Sequence, residues 1–169
     1  MNWGFRMIVY FIGSLLIGNI LTAWWVGKFY KTDLRNHRSG NLGARNAGAV
    51  IGKGAFLFTF LGDASKGVIV ILAGRYLGYP EWAVALGGLL VICGHIFPIW
   101  LKGKGGKGIA TFVGIGLTFN LLFAIAFIVA FSLVFPFFRS ATLSMIFGYL
   151  AYIGSVFYFN EVESAWPII

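Results

Sequence analysis

Charged residues are scarce in this sequence. Only 11% of its 169 residues are Asp, Glu, Lys or Arg, and only 5 of these are acidic, whereas an ordinary soluble domain has about 25% charged residues. Histidine is also rare, with 2 residues, and Cys93 is the single cysteine. A lone cysteine excludes an intramolecular disulfide, and its place inside an apolar run indicates a small buried thiol rather than a reactive one. The shortage of charge excludes a typical soluble domain.

The sequence is instead rich in apolar and aromatic residues. Hydrophobic residues make up 59% of it, with 18 Phe, 6 Trp and 7 Tyr. Runs near the 20-residue length that a helix needs to cross a bilayer recur along the whole chain. A single cleaved signal peptide therefore cannot explain them. We predict an all-α, polytopic bundle of membrane helices that forms one domain over residues 1–169.

Polar loops divide the apolar sequence into five segments. The predicted spans cover about residues 7–27, 54–77, 82–101, 109–138 and 140–159. Residues 109–138 exceed one span and fall short of two. We favour two shorter helices that meet near Asn120, with Arg139 closing the second, which gives about six membrane helices. One long helix over the same residues would give five.

The net charge of +8 is concentrated in two loops. Most of the cations lie within residues 28–53 and 101–108, between apolar spans. Short basic loops of this kind follow the positive-inside pattern of cytoplasmic loops, which disfavours a nucleic-acid surface as their purpose. The pattern predicts both loops at the cytoplasmic face of the cell membrane. The N-terminus and the C-terminal segment with Glu161 and Glu163 are then expected outside.

Residues 39–46, SGNLGARN, combine the features of an anion-binding loop. The two glycines allow positive φ and consecutive N–H groups, the Ser and Asn side chains add neutral donors, and the arginine offers a bidentate fork for phosphate. The alternative is a flexible basic loop that touches anionic lipid. The Ser-Gly-Asn spacing favours phosphate. The candidate residues are Ser39 for catalysis, and Gly40, Asn41, Gly43, Arg45 and Asn46 for phosphate binding.

Residues 103–108, GKGGKG, form a second glycine-rich loop just before a predicted helix. Its backbone amides and the helix N-terminus could converge on a phosphate. It is not the nucleotide-binding P-loop pattern, because a glycine follows the second lysine and no strand is predicted before it. The alternative is a basic turn at the membrane interface. The candidates are Lys104 for catalysis, and Gly105, Gly106, Lys107 and Gly108 for phosphate binding; no metal site is predicted.

Several ionisable residues fall inside the predicted spans, and Asp63, Lys66 and His95 are the candidates for a function. Asp63 and Lys66 are three positions apart and share one helical face. Charges within a membrane are expensive, so they are usually paired or functional; this pair either closes the bundle or belongs to the substrate site. His95 lies near the end of the third span that leads into the second loop. It is a candidate catalytic residue, and the alternative is a hydrogen-bonded packing residue.

These motifs together resemble a known family. They are GSLLIG, DLRNHRSGNLGARNAG, LGDASKG and GHIFPIWLKGKGGKGIAT, in this order. The chain is similar to the membrane-bound glycerol-3-phosphate acyltransferases that use acyl-phosphate as donor, the PlsY family. The resemblance is strong over residues 11–118 and weak over the remainder.

The resemblance implies transfer of a fatty acyl group from acyl-phosphate to the 1-hydroxyl of glycerol 3-phosphate, giving lysophosphatidic acid and phosphate in phospholipid synthesis. It implies that the two glycine-rich loops each line a phosphate site, and that neither a metal nor a cofactor is needed. The expected partners are these two substrates and the lipid bilayer, without nucleic acid. A homodimer or a protein partner stays open.

The sequence also departs from the family pattern. Arg38 and Arg45 stand where the family has Gly and Thr, and Ala49 stands where it often has Arg. The family ends with a further helix and a segment that supplies a His and an Asn, and the C-terminal residues NEVESAWPII do not match that segment. This difference motivates an alternative: a catalytically impaired member that binds acyl-phosphate as a regulator or partner. A small anion transporter is disfavoured, because the glycine motifs lie in interfacial loops rather than at the bilayer midplane.

Overall fold

The structure is a computed structural model that describes residues 2–165, with side chains described for residues 2–159. Every regular element in this part of the chain is helical, which confirms the all-α prediction. The helices are α1 (Trp3–Asn19), α2 (Thr22–Phe29), α3 (Ala44–Val50), α4 (Lys53–Tyr76), α5 (Glu81–Ile96), α6 (Ile109–Phe119), α7 (Leu121–Phe138) and α8 (Ala141–Ala165). Short 3-10 helices cover Leu34–Asn36 and Ile99–Leu101. The predicted position of the acidic C-terminal segment depends on Glu161 and Glu163, whose side chains lie outside the described residues.

Five stretches of the described chain are long and apolar enough to cross a membrane. They are Trp3–Phe29, Lys53–Tyr76, Glu81–Leu101, Leu121–Phe138 and Ala141–Phe159. The favoured division of residues 109–138 is confirmed, because α6 ends at Phe119 and α7 begins at Leu121. The Asn120 side chain caps α7 by accepting from two of its first N–H groups, and Arg139 ends α7 in the left-handed conformation. With 11 residues, α6 is about 16 Å long and is short for a span of its own.

The first candidate span consists of two helices rather than one. The helix stops at Asn19 and restarts at Thr22, and both Ile20 and Leu21 have extended backbone conformations. No proline marks this point, so hydropathy alone does not reveal it. The break leaves carbonyl and N–H groups without helical partners, and side chains from α4 bond to them, as described below.

Small residues bring α1, α4 and α5 close together. Gly18 of α1 lies directly against Gly94 of α5, since a Cβ on Gly18 would lie 2.9 Å from the Gly94 Cα. The ring of Tyr10 fills the space left by Gly74 and Gly87 on the two neighbouring helices. Glycine at such contacts lets membrane helices approach closely. The contact between Gly18 and Gly94 fixes the end of α5 against the break in the first span.

A cluster of buried apolar side chains lies beneath both basic loops. Its members are Leu21, Ala23, Leu34, Leu42, Ala47, Ala55 and Leu101. They come from α2, the first basic loop, α3, α4 and the start of the second basic loop. The shared cluster holds the two loops at the same end of the bundle, which confirms that they lie on one face.

Residues from Phe119 onward form a second compact unit, and those up to Thr118 form the first. Within the second unit, Phe127 of α7 is buried and its ring fills the space beside Gly148 of α8. The Phe127 ring also stacks on Phe131, with centroids 6.1 Å apart. The prediction of a single domain over residues 1–169 stays a prediction.

Candidate active site

Asn46 fixes the shape of the first glycine-rich loop. Its Oδ1 accepts hydrogen bonds from the Ser39 hydroxyl at 3.1 Å and from the Ser39 N–H at 3.3 Å. Its Nδ2 donates to the Leu34 carbonyl at 2.9 Å. Asn46 is buried, whereas Ser39 is exposed. The asparagine therefore shapes the loop from inside, and the serine hydroxyl stands at its surface.

The two glycines of this loop have different backbone conformations. Gly40 has a φ of +67°, the left-handed conformation that was predicted. The prediction is wrong for Gly43, whose backbone is extended with φ −138° and ψ 168°. A Cβ on Gly43 would lie 2.7 Å from Nδ2 of Asn41, the end of a flexible side chain that can move aside. Arg45 follows on α3 with an exposed side chain.

The first basic loop, residues 28–53, also contains an exposed ion pair before its glycine-rich part. Arg35 donates to both carboxylate oxygens of Asp33, at 2.7 Å from Nη2 and 2.9 Å from Nε. The side-chain hydrogen bonds from Arg35 lower the pKa of Asp33 to about 2, followed by the backbone bond from Arg35. A cavity of about 370 Å³ lies beside this pair and is lined by Ala23, Trp24, Gly27, Lys28, Lys31, Thr32, Asp33, Leu34, Arg35 and Leu42. The predicted phosphate-binding residues are not among its lining, so the cavity and the predicted site are adjacent and distinct.

The second loop folds onto the end of α5 through its own amides. The N–H groups of Gly103 and Lys104 bond to the carbonyls of Pro98 and Leu101, and those of Gly105 and Gly106 bond to Ile96 and His95. These four amides are therefore engaged, and the prediction that they converge on a phosphate is wrong. The glycines have geometric reasons instead. Gly103 and Gly108 have φ of +74° and +76°, and a Cβ on Gly105 or Gly106 would overlap the end of α5.

The donors that remain for an anion are at the start of α6. The carbonyl of Gly108 accepts from Phe112 N–H at 2.8 Å, so Gly108 directly precedes the first turn of α6. The N–H groups of the first helical turn have no partner within a helix, and they carry the positive end of its dipole. Lys104 and Lys107 are exposed on the loop that leads into this turn. Anion binding by this loop stays a prediction, and it now depends on the helix terminus and the two lysines.

The two loops meet at Gly106. A Cβ on Gly106 would lie 2.9 Å from the carbonyl oxygen of Leu42, in the first loop, and would overlap Nε2 of His95. The sequence segments SGNLGARN and GKGGKG are thus in direct contact, although about sixty residues separate them.

Asp63, Lys66 and His95 form one buried cluster below the junction. Nζ of Lys66 lies 3.0 Å from Oδ1 of Asp63 and 2.9 Å from Nδ1 of His95. All three side chains are at most 6% exposed. The predicted ion pair between Asp63 and Lys66 is present, and His95 contacts its lysine. His95 is buried beneath the second loop rather than open to it.

The cluster also bonds to the break in the first span. Lys66 Nζ donates to the carbonyl of Ile20 at 2.8 Å and approaches that of Gly18 at 3.5 Å. Oδ1 of Asp63 accepts from Thr22 N–H at 3.4 Å. The cation therefore sits at the negative C-terminal end of α1, and the anion at the positive N-terminal end of α2. Each charge complements a helix dipole.

Asn19 is a site residue that the sequence analysis missed. Its Oδ1 accepts from Ile99 N–H at 2.6 Å, and its backbone carbonyl accepts from the Trp100 indole at 2.9 Å. The residue thus anchors the start of the second loop to the break in the first span. An asparagine inside an otherwise apolar run was the available signal, because buried polar residues in membranes are rarely without a role.

Five candidate spans in the described chain, with two contacting glycine-rich basic loops in the first unit, are the features of an integral membrane protein. Among the described side chains, no three His, Cys, Asp or Glu residues group as a metal site would require. Residues 8–169 match the family model of glycerol-3-phosphate acyltransferase. The chain belongs to the glycerol-3-phosphate acyltransferase family.

Similar proteins agree with this assignment. Glycerol-3-phosphate acyltransferase 1 of Bacillus cereus (strain ATCC 10987 / NRS 248) is 48% identical over 135 residues, which cover 79% of this chain and 74% of the relative. The glycerol-3-phosphate acyltransferase of Streptococcus thermophilus (strain ATCC BAA-491 / LMD-9) is 38% identical over 129 residues, or 76% of this chain and 61% of the relative.

Solved structures agree as well. The crystal structure of PlsY (YgiH), an integral membrane glycerol 3-phosphate acyltransferase, in its glycerol 3-phosphate form superposes with a TM-score of 0.82 at 29% identity. That match covers 90% of this chain and 76% of the solved one. The lysophosphatidic acid form gives a TM-score of 0.80 at 27% identity, with the same coverage.

Proposed function

We propose that this protein transfers a fatty acyl group from acyl-phosphate to the 1-hydroxyl of glycerol 3-phosphate in membrane phospholipid synthesis. The hydroxyl oxygen bonds to the acyl carbon, the bond from that carbon to the phosphate oxygen breaks, and lysophosphatidic acid and phosphate leave. The proton of the hydroxyl passes to a phosphate oxygen. The protein's part is to bring the two substrates together and to stabilise the negative charge that develops.

The observation that carries this proposal is the contact between the two loops at Gly106. Both substrates carry a phosphate group, so a site for their reaction needs two anion-binding elements side by side. The first loop offers the surface hydroxyl of Ser39 and the guanidinium of Arg45. The second offers Lys104, Lys107 and the N-terminal turn of α6. In a chain 48% identical to a glycerol-3-phosphate acyltransferase, this arrangement supports acyl transfer between two phosphate-bearing substrates.

The individual roles belong to the same proposal. Ser39 and Lys104 contact the reacting phosphates, and Arg45 and Lys107 add charge to the same surface. Asn41, Asn46 and the glycines at positions 40, 43, 105, 106 and 108 shape the two loops. We place both loops at the cytoplasmic face of the cell membrane, where water-soluble glycerol 3-phosphate can reach them while the acyl chain stays in the bilayer.

A turnover assay with matched variants tests the proposal. Purified protein in bicelles receives palmitoyl-phosphate and glycerol 3-phosphate, and release of phosphate and formation of lysophosphatidate are followed together. We expect equal, acceptor-dependent amounts of both products. Lys104→Gln should lower kcat/KM at least 100-fold, since it removes a positive charge from the phosphate that develops negative charge, and one such stabilising group is worth about 10²–10³ in rate. Ser39→Ala should also lower kcat/KM, since it removes the surface hydroxyl of the first loop together with its bond to Asn46.

The control is Lys102→Asn in the same loop. Lys102 has a φ of +53°, and asparagine tolerates this conformation while removing one positive charge. It should keep activity within about threefold of wild type. Equal activity in all variants would show that the phosphates bind elsewhere. Absence of turnover in folded wild-type protein that binds palmitoyl-phosphate would contradict the catalytic proposal and favour a binding role.

A further inference from the structure

His95 holds Gly106 from two sides. Its backbone carbonyl accepts the Gly106 N–H at 3.1 Å. The Nε2 edge of its ring lies against the Gly106 backbone so closely that a Cβ on Gly106 would overlap it. Gly106 stands between Lys104 and Lys107 in sequence, so the imidazole under Gly106 sets where both lysines are presented. The ring is only 3% exposed.

Lys66 fixes the orientation of that ring. Its nitrogen lies 3.0 Å from Asp63 Oδ1, 2.8 Å from the Ile20 carbonyl and 2.9 Å from His95 Nδ1. Three acceptors at these distances match the three N–H donors of an ammonium group. Nδ1 of His95 is then an acceptor, so the ring proton is on Nε2. Asp63 Oδ1 is 3.8 Å from Nδ1, beyond a hydrogen bond, which agrees with this assignment.

The same break in the first span holds the other end of the loop. Asn19, the last residue of α1, bonds to Ile99 and Trp100 at the start of the second loop. Lys66, bonded to the carbonyl of Ile20, acts through His95 at the middle of the loop. Two independent contacts thus run from the break to the second loop. A loop rich in glycine needs such support, because glycine loses the most backbone freedom when it is ordered.

We propose that Lys66 and His95 are positioning residues for the second glycine-rich loop: Lys66, anchored at the break, fixes the His95 ring, and the ring seats Gly106 so that Lys104 and Lys107 face the substrate phosphates. The inference rests on the proposed acyl transfer and adds to it. It assigns no proton transfer to His95. The histidine acts on the substrates only through the loop.

Two substitutions of His95 separate the two edges of its ring. In His95→Asn, the side-chain oxygen can take the place of Nδ1 and still accept from Lys66, but nothing reaches Gly106. In His95→Gln, the longer side chain places an amide near the former Nε2 and again supports Gly106. We expect His95→Asn to raise the KM for glycerol 3-phosphate or for palmitoyl-phosphate at least tenfold. His95→Gln should recover KM to within about threefold of wild type.

Hydrogen exchange supplies a readout that does not depend on turnover. The amides of Gly105 and Gly106 are bonded to the end of α5 and should exchange slowly in wild type. In His95→Asn, peptides that cover residues 102–108 should exchange at least tenfold faster. The control is Val91→Ala, one turn earlier in α5 and fully buried. It lowers stability through a cavity, but the loop exchange and both KM values should stay as in wild type.

The outcomes are distinct. Unchanged loop exchange and unchanged KM in His95→Asn would overturn the inference. A fall in kcat alone, with unchanged KM and with loss of one limb of the pH profile, would also overturn it, because His95 would then transfer protons. An inactive wild type would refute the proposed acyl transfer instead, and the exchange experiment would still decide whether His95 positions the loop.

Discussion

At Gly106 it is the absence of a side chain, rather than a special backbone angle, that matters. Its φ is not among the positive ones of the described chain, whereas those of Gly103 and Gly108 are. The space beside its Cα is taken by His95 Nε2 and by the Leu42 carbonyl. A backbone carbonyl cannot rotate away as a flexible side chain can. The position therefore accepts only glycine while the two loops remain in contact.

Gly106→Ala should separate the loops. Overpacking of this kind costs about 1–3 kcal/mol, and here the strain falls on the junction of both loops. We expect at least a tenfold loss of kcat/KM and a lower melting temperature in detergent. Gly54→Ala is the control, because its Cβ would meet nothing within 4 Å and alanine favours the helix by about 1 kcal/mol. Equal behaviour of the two variants would show that the loops are not in contact in solution.

Sequence patterns indicated which polar side chains lie at the surface, but they did not indicate which residues are neighbours in the fold. Ser39, Lys104 and Lys107 lie at the surface, as phosphate ligands require. Spacing could not distinguish a glycine required for φ, such as Gly40, from one required for space, such as Gly106. That difference depends on a neighbouring side chain, and neighbours across the fold are not visible in a local motif. The predicted role of the loop amides was wrong for the same reason, because their acceptors lie at the end of α5 and in the segment that follows it.

At the scale of elements, the break in the first span depends on buried charged side chains of α4. Two residues, Ile20 and Leu21, leave the helical conformation. The resulting carbonyls are bonded by Lys66, and the N–H group of Thr22 is bonded by Asp63. An unsatisfied polar group in a membrane costs several kcal/mol. The ion pair thus supplies partners to an interrupted helix at a place that is buried within the protein.

Lys66→Met should destabilise the protein strongly, because it leaves Asp63 charged and unpaired and the break without its donor. Breaking a buried pair costs about 3–5 kcal/mol, which corresponds to a fall in melting temperature on the order of 10 °C for a chain of this size. The measurement is thermal unfolding in detergent, followed by circular dichroism.

Glu81→Gln provides the comparison. It removes the partner of Arg75 in an exposed pair, 3.2 Å apart and 63% exposed at the glutamate. Such surface pairs contribute about 0–1 kcal/mol, so the melting temperature should change little. If Lys66→Met were as stable as Glu81→Gln, the break would not depend on the lysine.

At the scale of the whole molecule, the feature to test is the membrane orientation of the first unit, whose two basic loops lie at one end. The buried cluster that includes Leu42 and Leu101 holds both basic loops there. The opposite end of the first unit carries the turn between α4 and α5, where Arg75 bonds to Glu81 and to the Thr118 carbonyl. The positive-inside pattern assigns the loop end to the cytoplasm. This assignment can be tested directly.

Cysteine labelling should distinguish the two ends. In a Cys93→Ala background, His37→Cys places a thiol in the first loop, and Leu77→Cys places one at the opposite end; both native side chains are exposed. A membrane-impermeant maleimide added to intact cells should label position 77 and leave position 37 unlabelled. Inverted membrane vesicles should give the opposite result. Labelling of position 37 from outside would reverse the proposed orientation.

At this scale the sequence was most informative. Long apolar runs and clustered cations are properties of whole segments, so they predicted the helical class, the spans and the shared end of the loops. The capping asparagine at position 120 correctly divided residues 109–138. The interruption at Ile20 was not predictable from hydropathy, because both flanking halves remain apolar. Its cause lies on α4, more than forty residues away.

Membrane carriers that couple transport to an ion often hold that ion at an interrupted helix, where free carbonyls replace its water shell. Here the nitrogen of Lys66 lies at such carbonyls, 2.8 Å from Ile20 and 3.5 Å from Gly18. This positive charge is part of the chain and cannot diffuse away. The carbonyl of Ile20 therefore has its cationic partner within the protein itself. Where a carrier binds and releases an ion in every transport cycle, this protein has a lysine side chain that takes its place when the chain folds.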